Sequence, residues 1–331
     1  MIVYVNKNRV MSPGKYDALR SVTSEHGFFE VAAMDHMIEF EAVYGTQPAS
    51  FAQIIDAKAR LASALGPHVS ALLLDAQYGF QALAMGSIPR NTGIIAALER
   101  EGYEPLEAPR STVMRDGWSP AKARLAGAGT GKVCWFYRPD LDASIGASQR
   151  QLIREIQAEC NDADLPLVVE PIWFPVPGED TSSKEWRKKR IEGIISSACE
   201  AEKMGVDLLK LEFPGYVTTD EEIEESIKAL KELSNTLTIP WVLLSAGVNY
   251  EQFALQVELA SKAGASGFMA GRSIWAEAMT LDPQKQEDGI KIAINRLNKL
   301  TAITRAYGRP FLPQLSLDET IQALPIDWYK R

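Results

Sequence analysis

Short apolar runs recur along the chain, each closed by a polar or charged residue and followed by a segment with apolar residues at helical spacing. Residues 28–34 (Phe-Phe-Glu-Val-Ala-Ala-Met) end at Asp35-His36, residues 69–74 at Asp75, and residues 93–98 at Glu99. Further runs cover 132–137, 167–171, 206–213, 241–244 and 267–270. Ser119-Pro120, Ser182 with Glu185, Thr219 with Glu222, and Asn249 supply the helix starts between them, as hydroxyl, carboxylate or amide caps near a favourable first turn. Eight strands alternating with helices, without a composition break, predict a single α/β domain over residues 1–331, folded as a closed (β/α)8 TIM barrel. A doubly wound open sheet is the alternative. The barrel core is expected over about 28–280, with a C-terminal helical extension beyond it: a helix from Gly289 to Leu300, then a proline-punctuated tail containing Trp328 and Tyr329.

Composition narrows the class. Hydrophobic residues make up 46% and charged residues 24%, which is ordinary globular usage. No apolar run approaches the roughly 20 residues of a membrane span. No basic-then-apolar leader opens the chain, so a cytoplasmic protein is the expectation. A net charge of −8 disfavours nucleic-acid binding. Cys134, Cys160 and Cys199 lie far apart and are expected to pack in the core. Three histidines, His26, His36 and His68, show no metal spacing; no metal and no cofactor is expected. The basic run Lys184–Arg190 reads as a solvated helix face. Gly127–Lys132 fails as a phosphate loop, because Ala126 and Val133 occupy positions that require Gly and Ser or Thr.

In a barrel of this kind chemistry sits where strands end. The strand-end residues here are Asp35, Asp75, Glu99, Arg138, Glu170, Lys210 with Glu212, Ser245 and Arg272. Lys210 is the most unusual, since strand alternation puts it on the same face as Leu208 and Glu212, pointing inward. A desolvated lysine becomes nucleophilic enough to form a Schiff base with a carbonyl. A buried ion pair with Glu212 or another acid is the plainer reading. Glu170, one strand away, is placed for general acid/base work or for a salt bridge to Lys210 or Arg138. The turns Ser245-Ala246-Gly247 and Ala270-Gly271-Arg272 follow strands seven and eight. Their glycines free backbone N–H groups toward an anion and the guanidinium can clamp two oxygens, so a phosphate is expected there, with tight-turn chemistry as the alternative.

These segments carry a resemblance. Val168-Val169-Glu170-Pro171, Asp207-Leu208-Leu209-Lys210-Leu211-Glu212, Pro240–Val248, Ala263–Phe268 and Ala270–Trp275, with Leu73–Gly79, are similar to those of the class I tagatose bisphosphate aldolases and their sulfofructose phosphate aldolase relatives. The resemblance implies a barrel in which Lys210 is the Schiff-base lysine, Glu170 a proton shuttle, and Asp35 and Lys132 supporting charges. It places Ser245, Gly247, Gly271 and Arg272 around a dihydroxyacetone phosphate end. Members of that family follow the first-strand aspartate with Gln-Arg; here Asp35 is followed by His36-Met37. His36, Asp75, Gln77 and Arg138 are the remaining candidates for substrate contact. The aldehyde half is expected to be uncharged or held by a cation from another loop, Arg138 first among them, so that tagatose bisphosphate need not be the best substrate. A small ketose phosphate is the expected partner. A sugar-phosphate isomerase or epimerase and a non-catalytic sugar-phosphate-binding regulator are the competing functions. The Trp328-Tyr329 tail and the largely apolar segment from Ala323 to Trp328 suggest a homo-oligomer.

Overall fold

The computed structural model describes residues 11–43, 49–100, 110–311, 316–324 and 326–327. Trp328 and Tyr329, on which the expectation of an oligomer rested, lie outside them.

Eight strands pair in parallel, in sequence order, and close on themselves. They are β1 Phe29–Met34, β2 Ala71–Leu74, β3 Gly93–Ala97, β4 Thr130–Phe136, β5 Leu167–Ile172, β6 Leu208–Leu211, β7 Trp241–Leu244 and β8 Gly267–Ala270. Nearly every strand residue is buried, because helices cover the outside while side chains fill the inside. Period-two alternation sorts the two faces. Phe29, Val31, Ala33, Leu73, Ile95, Ala97, Val168, Leu208, Val242 and Met269 fill the barrel interior. Their neighbours Ala32, Met34, Leu72, Leu74, Val169, Leu209 and Leu211 join the larger cluster shared with the helices. The inward series continues past the apolar plug, so Asp35, Asp75, Glu99, Lys132, Glu170 and Lys210 all follow inward-facing residues by two positions.

β4 begins at Thr130, two residues before the sequence suggested, and so absorbs part of the glycine-rich stretch. Gly131 is needed there, since a Cβ would lie 2.8 Å from Leu98 Cδ1. The β1–β8 seam is tighter still. Gly267 adopts φ +144°, and a Cβ would fall 2.1 Å from the Phe29 carbonyl oxygen. Gly267→Ala is therefore expected to cost about 3 kcal/mol or more, combining backbone strain with a clash that cannot relax without opening the seam. An unchanged urea midpoint for that variant would show that the seam is more yielding than its geometry implies.

The expected caps at Ser119, Thr219 and Asn249 are present; each side chain accepts the N–H three residues on. The helix Lys184–Lys203 is capped by Ser183 instead of Ser182. Ser182 is committed to Asp180, to which it donates both its backbone N–H (2.9 Å) and its hydroxyl (2.6 Å). The C-terminal helix is longer than expected, Pro283–Tyr307, because Asp282 caps it and Pro283 starts it. A further helix, Pro13–Arg20, was hidden in what reads as a polar N-terminal stretch. Leu19 and Val22 from this segment join the interior cluster around Phe29, and Lys15 Nζ lies 2.8 Å from the buried Asp207 carboxylate. The end of the barrel opposite the charged residues is thereby closed. Among the described residues no helix is long and apolar enough to cross a membrane.

Candidate active site

The open end of the barrel holds a cavity of about 340 Å³ lined from every strand end. At its base, Lys132 is surrounded by acids. Its Nζ lies 2.6 Å from Glu99 Oε1, 2.7 Å from Glu170 Oε2 and 3.1 Å from Asp35 Oδ2. The other oxygen of Glu170 lies 3.0 Å from Lys210 Nζ, so this carboxylate bridges the two lysines. Lys210 has 6% of its side chain exposed, enough for a small carbonyl group to reach a nitrogen that the barrel otherwise encloses.

The electrostatics follow from this arrangement. Burial alone would raise the pKa of Glu170, but Lys132 and then Lys210 outweigh it, and the carboxyl is held below its usual range. The same balance holds Asp35 well below the ordinary carboxylate range: burial opposes, Lys132 and Lys210 prevail. Burial likewise acts against the Lys132 ammonium, yet Glu170, Glu99 and Asp35 together push its pKa well above the normal lysine value. Glu170 is thus a base held between two nitrogens, and Lys132 is a permanent cation. His36 is shifted down, chiefly by burial. Cys134, expected in the core, instead lines the cavity, and burial raises its thiol pKa well above normal.

Glu212 is the acid that sequence proximity offered to Lys210, and it is engaged elsewhere. It accepts from Arg190 Nη2 at 2.8 Å and from the Trp173 N–H at 2.9 Å. Arg190 therefore leaves the solvated face expected of the 184–190 run. Arg187 leaves it too, pairing with Glu222 at 2.5 Å and lying over the Tyr216 ring at 4.4 Å.

On the β7–β8 side, Ala246 (φ +47°) and Gly247 (φ +75°) both adopt left-handed backbone, which folds the turn after Ser245 back over the cavity. A non-glycine residue held there is the kind of strain that persists at functional sites. Gly247 packs against Arg272, whose guanidinium lies 3.4 Å from where a Cβ would be. Arg272 reaches Glu39 at 3.0 Å and remains about half exposed. At Gly271 a Cβ would strike His36 Cε1 at 2.6 Å, and the His36 ring sets its edge against Trp275. Ser245, Gly247, Gly271, Arg272 and His36 are thus brought to one wall of the cavity.

Three expected contacts are differently placed. Asp75 lines the cavity, but its carboxylate is taken up by the buried Lys58 ammonium and by the N–H groups of Gln77 (2.9 Å) and Tyr78 (2.7 Å). Gln77 stands at the rim, accepting from Arg115 Nη1 at 3.2 Å. Arg138 does not reach the cavity. It is fixed by Asp140 (2.9 Å), by Glu179 (2.6 Å) and by the Phe174 carbonyl, and lies 4.5 Å over the Trp173 ring. Its charge is spent on two carboxylates, which a strand-end position in the sequence does not disclose. In its place the cavity receives Arg100, Arg110 and Arg115 from the segment after β3. Glu99 was legible as a polar strand end; the three arginines carried no periodic signal. Among the described residues no group of three His, Cys, Asp or Glu side chains is gathered so as to hold a metal ion.

Residues 29–277 match the family described as DeoC/LacD family aldolase. The chain belongs to the DeoC/LacD family of aldolases. It is an enzyme, a class I aldehyde-lyase in a TIM barrel, which sets aside the isomerase and regulator alternatives. It is 26% identical to tagatose 1,6-diphosphate aldolase 2 of Streptococcus mutans, over 93% of this chain and 99% of that one. It is 28% identical to tagatose 1,6-diphosphate aldolase 1 of Enterococcus faecalis, over 81% and 86% of the two chains. Among solved structures, a Schiff-base-forming fructose-1,6-bisphosphate aldolase superposes with a TM-score of 0.60 at 18% identity, covering 88% of this chain and 99% of that one. Plasmodium falciparum fructose-bisphosphate aldolase superposes with 0.67 at 15% identity, covering 92% and 99%. At that identity these two likenesses concern the fold.

Proposed function

We propose that this enzyme cleaves a ketose 1-phosphate through an imine on Lys210, releasing dihydroxyacetone phosphate and an aldehyde. The observation that carries the reading is the bridge in which one buried carboxylate, Glu170, touches both Lys210 and Lys132 beside the turns after β7 and β8. In the proposed sequence Lys210 passes a proton to Glu170 and its free amine adds to the C2 carbonyl. Glu170 returns that proton to the departing hydroxyl, and water leaves to give the iminium. The carboxylate then takes the C4 hydroxyl proton. The C3–C4 electrons move into an enamine, neutralising the iminium, and the aldehyde departs. The same proton is delivered to C3, water adds to the renewed iminium, and dihydroxyacetone phosphate is released with Lys210 restored.

Each step asks Glu170 to alternate between base and acid; the two flanking lysines both favour its ionised form, and burial opposes them. Asp35 Oδ1 and Glu99 Oε2 are buried, lack hydrogen-bond partners and belong to cavity-lining residues, which supports their accepting substrate hydroxyls. Ser245, Gly247, Gly271 and Arg272 suit the phosphate, since the loops after the seventh and eighth strands are the usual phosphate position in this fold. The likeness to tagatose 1,6-diphosphate aldolases supports a six-carbon ketose carrying that phosphate.

Borohydride reduction in the presence of dihydroxyacetone phosphate is expected to inactivate the enzyme and leave a reduced adduct on the peptide containing Lys210. An adduct confined to another lysine, or none, would remove Lys210 from this role.

A further inference from the structure

We infer that Arg190 and Glu212 are positioning residues that fix the separation of Glu170 and Lys210, doing with side chains what the backbone between β5 and β6 leaves undone. The inference rests on the proposed aldolase reading and adds the residues that hold its proton path together.

The ladder between the two strands stops below the chemistry. β4 pairs with β5 from Gly131↔Leu167 up to Phe136↔Ile172, and β6 pairs with β7 through Lys210↔Val242 and Leu211↔Leu243. Between β5 and β6 the register runs only over Val168↔Leu208 and Val169↔Leu209, one step short of Glu170 and Lys210. The cause is in the sequence. Odd-numbered residues here turn their peptide groups toward β6: the Leu167 carbonyl accepts the Asp207 N–H at 3.0 Å, and the Trp173 N–H, just past the strand, donates to Glu212. Between them stands Pro171, which has no N–H to give. Lys132 and Glu170 therefore belong to one paired unit of strands and Lys210 to another. The ladder is interrupted at the height where a proton must cross the 3.0 Å between Glu170 and Lys210.

Glu212 bridges that gap one layer higher. Its Oε2 accepts the Trp173 N–H at 2.9 Å, in place of a backbone carbonyl, and its Oε1 is held by Arg190 Nη2 at 2.8 Å. Arg190 is largely buried, and its Nη1 donates to the Phe213 carbonyl at 3.4 Å, so it grips the end of β6 through side chain and backbone alike. It belongs to the helix Lys184–Lys203, which connects β5 to β6. One turn on, Gly193 of that helix receives the Trp173 ring, for a Cβ there would lie 2.2 Å from Trp173 Cε3. The connecting helix thus braces both strand ends at once. Without the brace Glu170 would stay with Lys132, 2.7 Å away on its own unit, and Lys210 would be the partner lost. Where a reaction depends on such alignment, a misplacement of about 1 Å costs about a hundredfold in rate.

The test uses charge-neutral double variants, since removing one partner strands a buried charge whereas replacing both with uncharged side chains is often neutral for stability. R190M/E212L deletes the tie; R190M/E212Q keeps an amide oxygen for the Trp173 N–H. In R190M/E212L kcat is expected to fall by about thirtyfold or more with KM little changed, and in R190M/E212Q about tenfold of that loss is expected to return. The borohydride-trappable adduct on Lys210 should form correspondingly more slowly in the leucine variant, while the two melting temperatures stay close. Equal kcat in the two double variants, a difference carried by KM alone, or a leucine variant that loses its fold overturns the positioning role. Borohydride trapping of dihydroxyacetone phosphate on the wild type is run alongside. Trapping on Lys210 with equal double variants sinks the brace alone; no trapping on Lys210 sinks the lysine assignment and the brace with it.

Discussion

Lys210→Met is expected to abolish cleavage, lowering kcat by at least about 10⁴-fold, because the covalent route disappears and not merely one contact to it. Methionine fills similar volume among Leu208, Met269 and the other interior side chains, so the fold is expected to persist. The substitution also removes one of the two cations beside Glu170. Substrate binding should survive in weakened form, since the proposed phosphate contacts at Arg272 and the two turns do not depend on the imine. The diagnostic pattern is therefore a folded protein that binds dihydroxyacetone phosphate, gives no borohydride adduct and turns over nothing. Residual activity within tenfold of the wild type would mean that another residue performs the carbonyl chemistry.

Lys132→Met acts through charge balance. The substitution leaves Asp35, Glu99 and Glu170 buried without the ammonium they share, and removing one side of a buried ionic cluster costs about 3–5 kcal/mol. The sign with pH follows from the shifts. Asp35 and Glu170 have folded-state pKa values depressed below the ordinary carboxylate range. Their contribution to stability is fully present above the unfolded values and is lost as pH falls through the lower folded values. In the wild type that loss lies below about pH 4. In Lys132→Met the depression weakens, so acid unfolding and the acid limb of kcat/KM should both move to higher pH, while kcat at neutral pH falls by a hundredfold or more. Thermal melts and pH–rate profiles on one preparation check this together. A variant as stable as the wild type, with an unmoved acid limb, would show that Lys132 does not hold Glu170 ionised.

Most of the architecture was readable because inward-facing positions obey a period of two. Leu208 and Lys210 share a face by the same rule that puts Val168 beneath Glu170. Cap chemistry was equally local: Ser12-Pro13 opens a helix that was not expected, and Asp282-Pro283 starts the C-terminal helix six residues before the expected Gly289, both with the same signal as Ser119-Pro120. What could not be read was the pairing of charges across distant segments. Nothing near Arg138 in the sequence says that Glu179, 41 positions away, will neutralise it. The pairing of Glu170 with Lys210 was legible as one option, because barrel order sets the end of β5 beside β6, but nothing near Glu212 says that it turns to Arg190. The arginines after β3 enter the cavity through an isolated backbone ladder, and a ladder two residues wide leaves no hydrophobic rhythm to detect.

The seam between β1 and β8 also governs how the molecule comes into being. Trp275 Nε1 donates to the Ala33 carbonyl at 2.9 Å across 242 positions of chain, and the neighbouring ladder joins Phe29 to Gly267. During synthesis from the N-terminus, β1 emerges early and then waits with one edge unpaired until nearly the whole sequence has left the ribosome. Until that moment the nascent sheet has two open edges and no closed pocket, a state that invites association with other chains. Closure over so long a separation is slow by its topology. The same step that seals the sheet brings Gly271 up to His36, so closing the barrel also completes the wall of the cavity where we propose the phosphate sits.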